Sequence, residues 1–541
     1  MTFVCDWLSL SLGIQLAVSE AIKSGLHNSV VFGFGTYNLS SEIIVSYANN
    51  LTVIGQEIDK TFLIGNSPSS IFSIKSCQGL IITSLSIDFD PLPFTAVKPP
   101  HQTNINQQVE AILRYDPIAM RPAFDPNTYD MYQRPPPNTT TSLVSPGVLR
   151  IPLKKPAKFV VQDPIVVHYA FQKHVIASMD AQDLTIQSIN IYTSWCMGFA
   201  ATRTKRLNII DFNVVPRSER WMSIIMDCMH FTDSREYISV SNSKCSSMGD
   251  DGLNVHAMYF IVKKIINSTA LIVQTLKFSS NQQPFTPHAK GAVASTKIYD
   301  SLSQLYTFDS PLDVTVNDYV VVSDAPQLTI RNFTIENNRA HGILLETRNV
   351  NVKQSIFNRT SGPAILFQPS LHWDEGPHAI NVTLSENLFV NNNEGLARQE
   401  GVITILPVPV QLVPTIKNVQ ITSSTFLIGN YNQGVIQSYN GNNIAFYGNY
   451  IATNHSGPLI SICNTRNITA NNNTVVNNLT KINQYYTLDQ NNPCLTNLSS
   501  LIDLPPSAFN SSFPPPVTLP KLLIEDNQYY FMKKKVNDEN N

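Results

Sequence analysis

The feature that most restricts the fold is a phrase that returns along the chain: alternating apolar residues, then Asn, Ser or Asp, then another apolar residue. It reads GLIITSLSIDFD from Gly79, DLTIQSINIYTS from Asp183, RLNIIDFNVV from Arg206 and YISVSNSKCSS from Tyr237. After a gap it returns as LTIRNFTIENN from Leu328, VNVKQSIFNRT from Val350, INVTLSENLFVNN from Ile380 and VQITSSTFLIGN from Val419. It ends with IAFYGNYIATN from Ile444 and ITANNNTVVNN from Ile468. Several successive starts lie about 22 to 25 residues apart, a period that marks stacked repeats. Each repeat then forms one coil of an all-β, right-handed parallel β-helix, with one set of alternating side chains inside and Asn or Ser at the corners. An antiparallel sandwich also uses short strands and polar turns, but it does not explain the regular period.

Two stretches break the rhythm and read as inserted antiparallel β modules, residues 95–170 and 258–325. They divide the solenoid into first coils at 26–94, central coils at 171–257 and C-terminal coils at 326–480. Residues 1–25 are expected to supply a capping helix over Trp7 to Ile22, with Leu8, Leu12, Leu16 and Ile22 near one face. Residues 481–541 form a Pro- and Asn-rich tail, expected to be partly disordered from Lys533 onward. Insertions in a solenoid map to loops on one face, so the two modules are placed to wall a cleft.

A chain of 541 residues exceeds one compact core, but a solenoid escapes that limit because each coil buries its face against its neighbours. Only 14% of residues are charged and the formal net charge is -2, so nothing draws the chain to phosphate backbones or anionic lipid. Nucleic-acid binding and membrane insertion are not expected. The Asn-x-Ser/Thr sequon occurs about thirteen times, for instance at Asn38, Asn50, Asn332, Asn381, Asn467 and Asn478, which suits an extracellular or secretory/endolysosomal protein. No signal peptide is visible at the start, where Asp6 interrupts the apolar stretch. Cys5, Cys77, Cys196, Cys228, Cys245, Cys463 and Cys494 are too sparse for a disulfide framework and are expected to act as small buried hydrophobes.

Chemistry concentrates between Asp211 and Tyr259, where Asp227 precedes the pair Asp250 and Asp251 by about one coil. Stacked strands lie about 4.8 Å apart, so equivalent positions of adjacent coils reach a single glycosidic bond. Hydrolysis of an acetal needs a proton for the leaving oxygen and a carboxylate for the water or the sugar. Clustered carboxylates acquire separated pKa values, which suits both tasks. Gly249 and Gly252 flank the pair and are expected to allow a sharp turn. His230 and His256 follow the two acidic positions closely enough to bind a sugar or tune a carboxylate, and Asn254 lies between them. An Asp-Asp-Gly is also an ordinary turn, and hard cations such as calcium also take carboxylate oxygens. Trp373 and Glu375 in HWDEGP pair an aromatic platform with an acid, a combination that suits a sugar and also suits a packed corner. Arg339, in NRAHG, either reaches the cleft or caps a turn.

The segment RSERWMSIIMDCMHF…SMGDDGLNVH resembles the active-site region of glycoside hydrolase family 110, inverting exo-acting alpha-1,3-galactosidases on a pectin-lyase-like parallel β-helix. FDPLPFT from Phe89, CMGFAA from Cys196, NRAHGILLETR from Asn337 and SGPAILFQPSLHWDEGP from Ser361 fall in the same order. The resemblance spans roughly Phe32 to Asn478; Ala257 departs from it, standing where a glycine is usual. It implies that Asp227 is the general acid and that Asp250 and Asp251 position and deprotonate the water, with acid and base open to exchange. It implies a glycan or oligosaccharide substrate and neither metal nor organic cofactor. A pectin-type hydrolase or lyase and a non-catalytic carbohydrate-binding β-helix are the competing readings. The first lacks basic residues around Asp250, and the second gives no reason for three aspartates.

Overall fold

A computed structural model of the chain describes residues 2–5, 11–25, 28–96 and nearly all of 163–275, most of 293–477, parts of 109–152, and strands at 486–488 and 530–532. The recurring phrase has a simple physical meaning. In the strand Gln182–Ile191 the buried positions are Leu184 and Ile186, then Ile189 and Ile191, so the alternation slips by one residue. The slip falls at Ser188, whose φ is 47°. Asp211, Asn242, Asn332, Gln354, Glu386 and Ser423 repeat the left-handed conformation at equivalent places, with φ between 51° and 55°. Small polar residues tolerate this region best, which is why most of these corners read Asn, Ser or Asp.

The residue after the corner points inward and closes the accounts of the turning backbone. Ser355 N–H donates to Asn387 Oδ1 (2.9 Å), Asn387 N–H to Ser424 Oγ (3.1 Å), Ser424 N–H to Asn449 Oδ1 (2.9 Å) and Asn449 N–H to Asn473 Oδ1 (2.9 Å). Each coil thereby satisfies a buried donor of the coil before it. A second ladder runs outside, where Asn381, Asn418 and Asn443 each donate to the Asn one coil earlier at 2.8–3.0 Å. The Asn-rich composition is therefore structural. The amide nitrogens of Asn332, Asn381 and Asn467, all in sequons, are occupied in such rungs.

The coils stack in parallel register, Ile186 on Ile209, Ile209 on Val240, Val240 on Ile330 and Ile330 on Val352, and the file continues beyond. Between Val240 and Ile330 the chain leaves the solenoid and then resumes the same register. The core inside the coils is aliphatic, with a ring stack of Phe357, Phe389 and Phe426 whose centroids lie 5.1 and 4.6 Å apart. Both interruptions are antiparallel. Phe94–Ala96, Val109–Arg114 and Ile165–Tyr169 pair in the first, while the far half of Leu253–Asn267 pairs with Ala270–Thr275 and Tyr319–Val321 in the second.

Two expectations need correction. The described helix is Ser11–Lys23, with Trp7 and Leu8 outside the described residues; it packs Ile14, Val18 and Ala21, with Ile22 partly buried beside them, on the first coil, while Leu12 and Leu16 are exposed. Positions two apart on a helix are about 200° apart, so the branched and small residues took the buried side and the two leucines the opposite one. Thr2–Cys5, before the helix, is a strand paired with Ser29–Phe32. Among the cysteines, Cys228 and Cys245 form a disulfide across the coil interior and Cys463 is also disulfide-bonded, whereas Cys5, Cys77 and Cys196 are free and buried. Inward positions of one coil were not recognised as facing each other. In the tail, Tyr486–Leu488 pairs with Ile460–Ile462 and Tyr530–Met532 with Tyr319–Val321; residues 533–541 lie outside the described residues.

Candidate active site

Three consecutive coils build the site. Met229 stacks on Leu253 and Leu253 on Ile343, so Asp227, Asp251 and His341, each two residues earlier, form one file. Their backbones are bonded in turn: Cys228 N–H donates to Asp251 O (2.9 Å) and Gly252 N–H to His341 O (3.0 Å). Alternation then carries His230, Asn254 and His256 to the outer face of the same strands. The flanking glycines serve this stacking. Neither has a left-handed φ; a Cβ on Gly249 would stand 2.5 Å from Ile225 O, and one on Gly252 2.6 Å from Gly342 O. Gly252→Ala is expected to destabilise the chain by about 1–3 kcal/mol, because rigid backbone must move, and a urea titration measures it.

Asp227 and Asp251 are buried and Asp250 is partly open to solvent, and one oxygen from each lies within 4.8 Å of the other two. Their environments differ. Asp251 Oδ1 accepts from His341 N (2.8 Å) and meets His341 Nδ1 at 2.9 Å. Burial raises the Asp251 pKa, but the charge and two hydrogen bonds of His341, with Arg339, outweigh it and hold this carboxyl below the usual range. Among the described residues the Asp250 carboxylate is hydrogen-bonded by Arg339, Nη1 to Oδ1 at 3.3 Å. Burial pushes its pKa up to about 8, opposed by Arg339 and reinforced by the charges of Asp227 and Asp251. Burial likewise raises Asp227, against its hydrogen bond to His230, so Asp251 is the acid of the trio shifted downward.

Asp227 Oδ1 accepts from Asp251 N (3.2 Å) and its Oδ2 meets His230 Nδ1 at 2.7 Å. His230 Nε2 lies 2.9 Å from His256 Nε2, and His256 Nδ1 lies 3.1 Å from Ala257 O. Glu375, on a two-residue strand paired with Ala257 and Met258, accepts from Asn254 Nδ2 (3.1 Å) and lies 3.8 Å from His256 Nε2. Burial raises the Glu375 pKa to about 7 against the pull of His230 and Asn254. Behind it Glu346 is fully buried, and burial with the Glu375 charge lifts its pKa well above the ordinary value.

Asp227, Asp250, Asp251, His230, Asn254, His256, Arg339 and Glu375 therefore come together. Trp373, 48% exposed at the tip before Glu375, stands out into solvent. Trp195 is core and stacks on Tyr169, and Trp221 packs on Tyr115. Sequence reading missed His341, Glu346 and Asn338, whose Nδ2 holds both Asp250 O (3.0 Å) and His341 O (2.7 Å). The available signal was the pairing of DDGL with AHGI, which the second insert pushes far apart in sequence.

The inserts flank this cluster. Phe94, Leu113, Tyr115 and Val166 of the first pack on Met222 and Ile225, just before Asp227, and the second continues from the strand that carries His256. Two groups, Asp227–Asp250–Asp251 and His230–His256–Glu375, bring donor atoms close enough for a cation. In both, protein hydrogen bonds already occupy atoms that would face it, including Asp227 Oδ2, Asp251 Oδ1, His256 Nε2 and Glu375 Oε1.

Fold and site define a parallel β-helix protein with a carboxylate cluster on its central coils. Residues 227–405 match the family model described as right handed beta helix region, which gives the hand of the coils. The chain is similar in sequence to proteins named alpha-1,3-galactosidase. It is 25% identical over 304 residues to alpha-1,3-galactosidase B of Phocaeicola vulgatus, covering 49% of each chain. It is 24% identical over 377 residues to alpha-1,3-galactosidase A of Shewanella woodyi, covering 65% of this chain and 61% of that one. With alpha-1,3-galactosidase B of Bacteroides thetaiotaomicron the identity is 22% over 506 residues, 79% of this chain and 81% of the relative. The chain thus spans about half of the first relative's length and about three fifths of the second's.

Proposed function

We propose that this protein is a glycoside hydrolase that removes terminal alpha-linked galactose from glycans, acting from the chain end. The resemblance implies inversion, for which the trio, with one oxygen of each carboxyl within 4.8 Å of the others, stands closer than the roughly 6.5–9.5 Å usual. The anomer released first therefore decides the outcome. The observation that carries the reading is the difference in surroundings within the carboxylate trio: Asp251 Oδ1 meets His341 N and Nδ1 at 2.8 and 2.9 Å and is held low, whereas Asp250, which meets Arg339 at 3.3 Å, and Asp227 are both raised by burial. The family of relatives supplies the sugar and the linkage. In this reading Asp250 is the general acid that protonates the leaving oxygen, the role that the resemblance implies for Asp227. Asp251 takes the proton of the attacking water, and Asp227, bonded to Asp251 N–H, positions that water. Arg339 and Asn338 orient Asp250, and Glu375 with Asn254 meets hydroxyls of the bound sugar.

The protein is proposed to work in an extracellular or secretory compartment, which the Cys228–Cys245 disulfide favours because reducing cytosol opposes such bonds. No helix among the described residues is long and apolar enough to cross a membrane. The purified chain is expected to release galactose from oligosaccharides ending in alpha-1,3-galactose, with β-galactose appearing first in the NMR spectrum. Release of uronic acid products alone would replace the reading with the pectin-type one. The pH profile carries a second expectation. Asp250 must be protonated, so kcat/KM falls as pH rises through about 8; Asp251 must be ionised, so activity persists down to the ordinary carboxylate range or below. A profile already falling at pH 6 on its alkaline side would remove Asp250 as the acid.

A further inference from the structure

The two histidines on the outer face of the central coils are arranged for each other as much as for a ligand. His256 Nδ1 faces only a carbonyl in its hydrogen bond, Ala257 O at 3.1 Å, and a carbonyl accepts, so the proton of His256 sits on Nδ1. Its Nε2 is then a bare lone pair, contacted by Thr232 Oγ1 at 3.3 Å and His230 Nε2 at 2.9 Å. His230 must therefore carry a proton on Nε2. Its other nitrogen lies 2.7 Å from Asp227 Oδ2, a contact that needs one further proton between them. That proton rests either on His230, giving an imidazolium beside a carboxylate, or on Asp227, giving a neutral acid beside a neutral ring. Both distributions leave the dyad with no net charge.

We infer that His230 is a positioning residue that acts through Asp227, sharing one proton with it under a tautomer fixed by His256 and Ala257, so that Asp227 adds no net charge beside Asp251. The inference rests on the hydrolase reading for its kinetic consequence but not for its chemistry. Without the dyad, Asp227 and Asp251 would be two carboxylates joined by a 3.2 Å hydrogen bond from the Asp251 N–H, and one would hold a proton when water must be deprotonated. Shuttling along Asp227 Oδ2 and His230 Nδ1 moves one proton and creates or consumes none. The groups facing His230 are Asp227 on its own coil, His256 and Asp251 on the next, Glu375 on the paired hairpin and His174 two coils earlier. Burial works against charge on His230, but the hydrogen bond and charge of Asp227, with Glu375 and Asp251, outweigh it and raise its pKa.

The test has two arms. In the intact protein labelled with 15N-histidine, His256 is expected as the Nδ1–H tautomer and His230 with Nε2 protonated from pH 6 to pH 8; a His256 protonated on Nε2 overturns the inference. This arm needs no substrate, so it stands or falls apart from the galactosidase reading. In the kinetic arm, His230→Asn is expected to lower kcat about 100-fold with KM within about threefold, and to move the acidic limb of the pH profile upward. His256→Gln, which keeps an acceptor at the Nε2 position, is expected to lower kcat less than His256→Leu, which loses activity as His230→Asn does. A rise in KM with an unmoved pH profile would make His230 a sugar ligand instead, and activity lost on chelation and restored by zinc would make the pair metal ligands. Either result defeats the proposal.

Discussion

Asp250→Asn is expected to lower kcat about 10²- to 10⁴-fold on an alkyl or oligosaccharide alpha-galactoside, and far less on a dinitrophenyl alpha-galactoside. The difference is the diagnostic. A sugar leaving group departs as an alkoxide unless it is protonated, whereas dinitrophenolate is stable without a proton, so the missing acid matters only for the first. Asp251→Asn removes the base and is expected to depress both substrates alike. The assignment follows from the surroundings, since Asp251 accepts two hydrogen bonds from His341 while Asp250 has one long contact to Arg339. If the leaving-group dependence appears in Asp227→Asn and not in Asp250→Asn, the roles first implied by the family resemblance are the correct ones. Far-ultraviolet circular dichroism on each variant separates lost chemistry from lost fold.

Arg121→Ala is expected to destabilise the protein by about 3–5 kcal/mol, the loss typical of breaking a buried ion pair from one side. Arg121 comes from the first insert and is 2% exposed; it bonds Glu394, itself 5% exposed, and donates to Arg359 O at 2.8 Å. Removing the guanidinium leaves the buried Glu394 carboxylate with the more distant guanidinium of Arg359, whose Nε lies 3.9 Å away. The damage should reach the site, because Gly395 N–H donates to Ser361 O, Ser361 N–H to Asn338 O, and Asn338 Nδ2 to Asp250 O. The variant is therefore expected to lower both the urea midpoint and kcat. The double replacement Arg121→Met with Glu394→Met is expected to recover most of the stability, since two apolar side chains of similar volume replace the pair without an unpaired charge. No recovery in the double variant would show that Arg121 contributes through other contacts.

How much was legible in the sequence depends on the range of the interaction. Ser188, Asp211 and Asn332 announce left-handed corners because the preference is local, and apolar alternation on either side announces the buried face. Asp227 and Asp251 were brought together on spacing alone, since one coil separates them without interruption. His341 stands in the same file and was not recognised, because the second insert lies between its coil and that of Asp251. The helix face failed for a related reason: the first turns of Ser11–Lys23 carry apolar residues on both sides, Leu12 and Leu16 opposite Ile14 and Val18, and the first coil chooses between them.

The sequence by itself determined the coil, its corners, its Asn and Ser ladders and the candidates for chemistry, since these rest on local backbone preference and short regular spacing. Tertiary structure alone decided how differently the three acids are buried and bonded, which cysteines join and which histidine nitrogen faces which partner. Those outcomes depend on burial and on distances of a few ångströms between coils, and neither is written in the order of residues.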